Sequence, residues 1–596
     1  MSRPVLSAGL LCVVGVLALL LASLPGSGGE LVFPLDDAYI HLALARTLAE
    51  SGTWGINPGE FANASSSPLW SVLLAVGELV GLGGPAWALA INVLAAGGVL
   101  VVADGLLARG GLDERARMLA LGALVWVAPL PFLVGLGMEH VVHAALVLAL
   151  LSAVRGPAPE WAGAVIAALA VSMRLETLLL LGAITIVEPW SRLRGAAVGG
   201  ATAVGGFALF GLANGGAWVP NGVLKKANFG EVEGVVAAVR ECPELVLWVV
   251  VLLALAVLDT RPGPRRGAAT LALAAAGQLV FGRVGWLYRY EGWLFVLGVV
   301  FAAELVSAHP RRRIAWGLVL VLAAVTTHRS ALALQAYAPG VRFCADANVS
   351  VARWLAAGWP GRVVAVHDLG AAAYYTRGRV VDLGGLGTDV VAAATRRGEL
   401  TPAFFSRLLD DEQVAIAVTG AQWPQDARPE GLSAAARIFV RHPAPPGEFE
   451  VVVWAVDPDL AGALAEGASV LSREGMRVLD GRDLVLDDAT LTGAALQHLE
   501  GGVVFYTNGT MTTVAPASGM LQLWIDGTAA DGRPPRFRVR IPSAEVELAA
   551  PAVTERVEVG VVAEGDFVEI IYADDLVDAS GGDRNLAIRR GAVRRE

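Results

Sequence analysis

The chain has 596 residues, of which 55% are hydrophobic and only 17% charged. With a mean hydropathy of +0.58 it is too apolar for an ordinary soluble protein of this length, so a polytopic membrane protein is the expected class. A formal net charge of −10 argues against a nucleic-acid partner, and three cysteines are too few for a disulfide framework or a zinc cluster.

The apolarity is uneven. Leu/Val/Ala runs follow one another to about residue 334, and beyond it strand-like and helix-like segments alternate with polar turns. The expected division is a transmembrane domain over 1–335, a small α/β domain over 336–480 and a β-sandwich over 481–596. The first run, VLSAGLLCVVGVLALLLASL, is about 20 residues long and predicts an uncleaved membrane helix rather than a signal peptide. Just past it, LVFPLDDAYIHLALARTLAESG carries Asp36 and Asp37. Adjacent carboxylates at the outer end of a membrane helix are costly to hold near lipid and are usually kept for a task. The plain structural reading is an Asp N-cap on a helix beginning at Ala38. A loop and a short amphipathic helix follow in WGINPGEFANASSSPLWSVLLAVGELVG.

Charge sets the topology. If the segment from Ser67 lies in the interface on the outer face instead of crossing, the later arginine-bearing loops (Arg109–Arg117, Arg155, Arg192/Arg194, Arg261/Arg265/Arg266 and Arg311–Arg313) all become cytoplasmic. Eleven crossings are then expected, near 5–24, 85–107, 117–136, 141–155, 160–173, 177–190, 196–213, 244–258, 268–282, 291–307 and 314–333. On this topology Cys242 and Cys344 are both external, which leaves a bridge between them open.

The polar residues interrupting the apolar half then gather on the external face. Glu139 opens an apolar helix in GLGMEHVVHAALVLAL, where the helix dipole alone would favour it. Arg174 and Glu176 stand together in VSMRLETLLLL. Asn221, Lys225 and Lys226 lie in WVPNGVLKKANFG, a turn followed by mobile cations. FGRVGWLYRYEGW adds Arg283, Glu291 and Arg289, the last flanked by Tyr288 and Tyr290. The alternative for Arg289 is snorkelling within an aromatic belt. A one-sided cluster of both signs reads as a wet site.

The order of these elements resembles the GT-C glycosyltransferases over roughly residues 30–385. The acidic first loop, the Gly-Met-Glu segment, the Arg-x-Glu element (with Leu175 where proline is usual), the Pro-Asn-x-x-x-x-Lys loop and the outer arginine all take part. So does VVAVHDLGAAAYYTRGRVVDLGGLGTD, similar to the soluble segment after the last membrane helix of many such enzymes. The resemblance implies an inverting transfer of one sugar from a polyprenyl-phosphate-sugar donor to a glycan or protein acceptor, on the extracytoplasmic face of a bacterial-style cytoplasmic membrane. It implies a catalytic role for Asp36 and Asp37, Asp36 being preferred as general base and Asp37 orienting the acceptor or holding a divalent cation. Arg289, with Lys225 or Lys226, would hold the donor phosphate, since a guanidinium fork suits phosphate oxygens. Glu139, Arg174, Glu176 and Asn221 would support the site. Two other readings are a transporter or flippase for lipid-linked sugars and a non-catalytic assembly protein for surface polysaccharide. No P-loop, HExxH or strand-flanked GxSxG supports ATP-driven transport or hydrolysis.

From about residue 483, alternation in RFRVRI, VEVGVV and VEII predicts a β-sandwich of jelly-roll type. Its ending resembles calcium-dependent, xylan-binding-type carbohydrate modules, which close on an Asn-Asp pair and Asp-Arg-Asn-Leu. The matching residues here are Asp574-Asp575 and Asp583-Arg584-Asn585-Leu586. That resemblance implies Ca²⁺ on Asp575, Asp583 and Asn585. Asp574 in place of asparagine and Ala587 in place of an aromatic depart from the pattern.

Overall fold

The computed structural model describes residues 1–226, 232–259, 261–285, 288–307, 312–421, 423–430, 432–443, 446–472, 476–480 and 490–493, then 496–499, 502–505, 509–514, 519–527, 535–550, 555–562, 567–572 and 586–594. These fall into two compact units. One comprises Met1–Gly361, Val366–Leu400 and Arg441–Gly447; the other comprises Arg362–Ala365, Thr401–Val440 and Glu448–Glu596. Residues 366–400 fall in the first unit, with the helices.

The first unit is helical. It begins with α1 (Arg3–Ser23), α2 (Asp37–Ser51), α3 (Pro68–Leu79), α4 (Pro85–Arg109), α5 (Glu114–Val127) and α6 (Leu130–Gly135). Next come α7 (His140–Arg155), α8 (Glu160–Met173), α9 (Thr177–Val187), α10 (Arg194–Ala213), α11 (Asn221–Lys226) and α12 (Val232–Glu241). After α13 (Pro243–Val257), α14 (Pro262–Phe281) and α15 (Gly292–Ser307), the long α16 (Arg312–Cys344) leads through a π-turn at Ala345–Ser350 into α17 (Val351–Gly358). Strand β1 (Val364–Val366) has only its last residue in this unit; helix α18 (Leu369–Tyr375), strand β2 (Val380–Asp382) and helix α19 (Asp389–Arg397) follow.

Helix α1 shows how these residues choose their faces. Val5, Ala8, Cys12 and Val16, spaced three or four apart, are buried, while Leu6, Leu10, Leu17 and Leu21 remain exposed. Both faces are apolar, so the outward one is suited to lipid. Among the described residues four helices are long and apolar enough to cross a membrane: Arg3–Ser27, Pro85–Arg109, Arg194–Ala213 and Arg313–Gly358. They coincide with four of the eleven expected crossings and make this an integral membrane protein. The remaining apolar helices, including α7, α8, α9, α13 and α15, have 10–17 residues each. Helix α3, expected at the interface, has 12 residues. Helix α16 runs past the expected end of its crossing because no breaker precedes Pro339, which the helix accommodates. Cys12, Cys242 and Cys344 are free and buried, so the Cys242–Cys344 bridge left open by topology is not formed.

In the second unit, helices α20 (Pro402–Asp411) and α21 (Ala461–Ala468) accompany strands β3 (Ile416–Gly420), β4 (Ser433–Pro443), β5 (Pro446–Ala455) and β6 (Met476–Asp480), ordered β3-β5-β4-β6. Further on are β7 (Thr490–Gly493), β8 (Leu496–Leu499), β9 (Gly502–Phe505), β10 (Gly509–Val514) and β11 (Gly519–Gly527). Then come β12 (Arg536–Ile541), β13 (Ala544–Ala549), β14 (Glu555–Val562), β15 (Phe567–Tyr572) and β16 (Leu586–Arg594). They form two five-stranded sheets, β13-β12-β15-β10-β7 and β14-β11-β16-β9-β8. Phe537, Val539 and Ile541 of the first sheet and Leu521, Leu523 and Ile525 of the second enter one shared core. That is a sandwich, built by the period-two alternation visible in RFRVRI, whose arginines stay exposed. The expected calcium ligands Asp575, Asp583 and Asn585 lie outside the described residues.

Candidate active site

The first unit holds a cavity of about 240 Å³, lined by side chains from stretches far apart in sequence. Asp37 and His41 come from α2, Arg174 and Glu176 from the α8–α9 joint, Arg283, Arg289 and Tyr290 from the α14–α15 loop. Gly222 of α11 and Leu386 of the β2–α19 loop close it, and Leu175, Leu178, Leu179, Val223 and Phe281 supply apolar wall. Opposite charges from separate helices thus meet in one hollow.

The polar contacts explain why the charges tolerate burial. Arg289, 2% exposed, donates from Nη2 to Asp37 Oδ2 at 2.5 Å and to the Tyr290 hydroxyl at 3.0 Å, and from Nη1 to the Met138 sulfur at 2.9 Å. Its guanidinium also lies 4.8 Å from the Tyr290 ring centroid. Its Nε has no hydrogen-bond partner. Arg174 donates to Glu139 through Nη1 and grips Glu176 with Nη2 and Nε, the latter at 3.2 Å. Glu139, fully buried, sits behind Arg174 and does not line the cavity; His41 Nε2 approaches its Oε2 at 3.8 Å. Paired in this way, a buried carboxylate and guanidinium offset part of their desolvation. Glu291 does not line the cavity; it is ion-paired with Arg329 and accepts from the Gly285 N–H at 2.9 Å.

Asp36 and Asp37, adjacent in sequence, part company in space. Asp36 is the N-cap residue of α2, yet its carboxylate makes no cap bond there. Instead Oδ2 accepts from the Gly370 N–H at 2.6 Å and Oδ1 from the Ala371 N–H at 2.8 Å, filling orphan donors in the first turn of α18. Burial, then the Asp368 charge, pushes the Asp36 carboxyl up to about 7, against these two donors, with a smaller push from Asp37. A value near neutrality suits a general base, but geometry comes first: both oxygens are occupied and Asp36 does not line the cavity. Asp37 does.

Asn221 stands beside the cavity wall, donating to Asp389 Oδ1 at 2.6 Å and to the Leu386 carbonyl at 3.3 Å. Lys225 and Lys226 occupy the end of α11, and their side chains lie outside the described residues. A divalent cation between Asp36 and Asp37 does not fit this donor set, because one carboxylate already accepts two N–H groups and the other faces a guanidinium. Among the described residues no group of three or more His, Cys, Asp or Glu side chains is arranged for a metal.

Two features escaped the sequence reading. His41 lines the cavity because it follows Asp37 by four residues, one helical turn, which is a legible signal once α2 is known to be a helix. The role of the β2–α19 loop was not legible. Asp382 folds it by accepting from the Gly384 N–H at 2.7 Å, the Gly387 N–H at 2.7 Å and the Leu386 N–H, which presents Leu386 to the cavity.

Residues 335–458 match a family model described as a domain of unknown function, DUF8728. No curated protein matches the chain. Among solved structures, arabinofuranosyltransferase AftD from Mycobacteria is similar at 14% identity and a TM-score of 0.40, covering 97% of this chain and 61% of that one. The chain therefore spans less than two thirds of the AftD length. ArnT from Cupriavidus metallidurans bound to undecaprenyl phosphate is similar at 15% identity and a TM-score of 0.46, covering 74% of this chain and 97% of that one. The apo form of ArnT gives 16% identity and 0.45.

Proposed function

We propose that this chain is a membrane glycosyltransferase of GT-C type. It moves one sugar, with inversion, from a polyprenyl-phosphate donor to a glycan or protein hydroxyl on the extracytoplasmic face. The observation that carries this reading is the meeting of Asp37 with Arg174, Arg283 and Arg289 in one cavity with apolar walls. Such a transfer needs a cation where a phosphate monoester leaves and a base where a hydroxyl attacks. The motif order described above supports the same reading independently of the geometry.

Arg289 takes the phosphate. It lines the cavity, and its Nη1 meets only a thioether, which leaves that edge of the guanidinium for charge-assisted bonds to phosphate oxygens. Asp37 is the base, in place of the Asp36 preferred from sequence. Asp37 is paired with Arg289, and a phosphate that takes over the guanidinium would leave its carboxylate to accept the acceptor's proton. Arg174, held by Glu139 and Glu176, presents a second guanidinium on the same wall. No step is drawn through a metal.

The test uses purified protein in liposomes carrying a polyprenyl-phosphate sugar, with the acceptor outside. Transfer by the wild type and its loss in Asp37→Asn and Arg289→Met, with both variants folded and inserted, supports the reading. Movement of intact carrier-sugar between leaflets without transfer would replace it with transport.

A further inference from the structure

The Asp36 contacts belong to a larger pattern. Residues 366–390 are fastened to α2 and the loop after it at several points. Arg46 Nη2 donates to the Ala373 carbonyl at 3.0 Å. Asn57 exchanges two hydrogen bonds with the Val380 backbone, at 2.9 and 3.0 Å. Asp36 accepts from the Gly370 and Ala371 N–H groups. At Gly370 a Cβ would lie 2.0 Å from the Asp36 carbonyl oxygen and 2.8 Å from its Oδ2, so the contact requires both this carboxylate and a residue without a side chain.

We propose that residues 366–390 form a wall of the substrate cavity, and that Asp36 is a positioning residue that latches this wall shut. Leu386 is the wall's contact with the cavity. Asp36 and Asp37 thus divide the work. One fixes the start of α2 to α18, and the other, on the next residue, is thereby aimed at Arg289. Losing the latch lets Leu386 withdraw and widens the acceptor side without removing the base.

The first readout needs no transfer activity: hydrogen exchange of the full-length protein in detergent. Asp36→Ala is expected to speed amide exchange at residues 369–373 at least tenfold, and Asp36→Asn, which keeps one acceptor oxygen, by less. Gly370→Ala should do the same from the other side of the contact, while Asp37→Asn leaves these amides protected. The second readout rests on the transfer reading: Asp36→Ala raises the acceptor KM several-fold with kcat within about threefold, whereas Asp37→Asn loses kcat. Unchanged exchange in both Asp36→Ala and Gly370→Ala would overturn the latch. Loss of kcat in Asp36→Ala at unchanged KM and unchanged exchange would return Asp36 to the chemistry and overturn the proposal. If no variant or wild type transfers sugar, the exchange result still decides the latch, and only the function assigned above is lost.

Discussion

Arg289 and Asp37 lie 252 positions apart and touch inside the first unit, so their coupling measures whether the site is assembled as described. The Arg289 side chain is 1% exposed and that of Asp37 27%. Breaking a fully buried pair by removing one partner costs about 3–5 kcal/mol; with water able to reach Asp37, we expect the lower figure to be approached only when the arginine is the group left behind. Asp37→Ala should therefore destabilise by about 2–3 kcal/mol, because the guanidinium keeps only Tyr290 and Met138. Arg289→Met should cost less, roughly 1–2 kcal/mol, since the stranded carboxylate can hydrate in the cavity. The double variant should fall short of the sum by about 1–2 kcal/mol, beyond the ~0.5 kcal/mol scatter of independent sites. Denaturant unfolding of the detergent-solubilised protein, followed by tryptophan fluorescence, gives all four corners of the cycle. Additivity within that scatter would mean that the two residues do not meet, and the cavity reasoning would fall with them.

Arg174→Leu strands the fully buried Glu139 and should cost about 3–5 kcal/mol, most of it recovered in Arg174→Leu with Glu139→Leu; the same unfolding assay reads both. Gly137 has a φ of +67° and a Cβ there would lie 2.3 Å from the Phe33 ring, so Gly137→Ala should lose roughly 1–3 kcal/mol, while Gly98→Ala, 3.8 Å from Ala145, should unfold like the wild type. For Asp36, a folded value of about 7 against an ordinary 3.8 means that the folded chain holds the proton more tightly. Its contribution to stability is therefore full below about pH 4 and lost as the pH rises through 7. Between pH 5 and 8 the thermal midpoint of the wild type should fall relative to that of Asp36→Asn; a constant difference would refute the shift. In the second unit, Leu523→Ala removes a fully buried core side chain and should destabilise by about 2–5 kcal/mol, seen as faster proteolysis after residue 480.

Much of the architecture was legible because its causes are local. A run such as VLSAGLLCVVGVLALLLASL has nowhere to satisfy its backbone in lipid except as a helix, and RFRVRI can bury one face only as a strand. The same locality explains why Arg174, Glu176, Asp37 and Arg289 were named together: charges between apolar helices need partners or water. Residues 366–400 carry no long apolar run, yet Arg46, Asn57 and Asn221 bind their backbone and side chains to the helical unit, and composition does not register hydrogen bonds between segments 168 to 327 positions apart.

Sequence by itself determined that carboxylates and guanidiniums would be held at the ends of apolar helices, since the cost of burying charge depends on residue type and surroundings that can be read along the chain. Which of two neighbouring aspartates faces the cavity was decided only by tertiary structure. The preference turns on two N–H groups of a helix some 330 residues away, at Gly370 and Ala371, whose unsatisfied donors draw in one carboxylate and leave the other for Arg289.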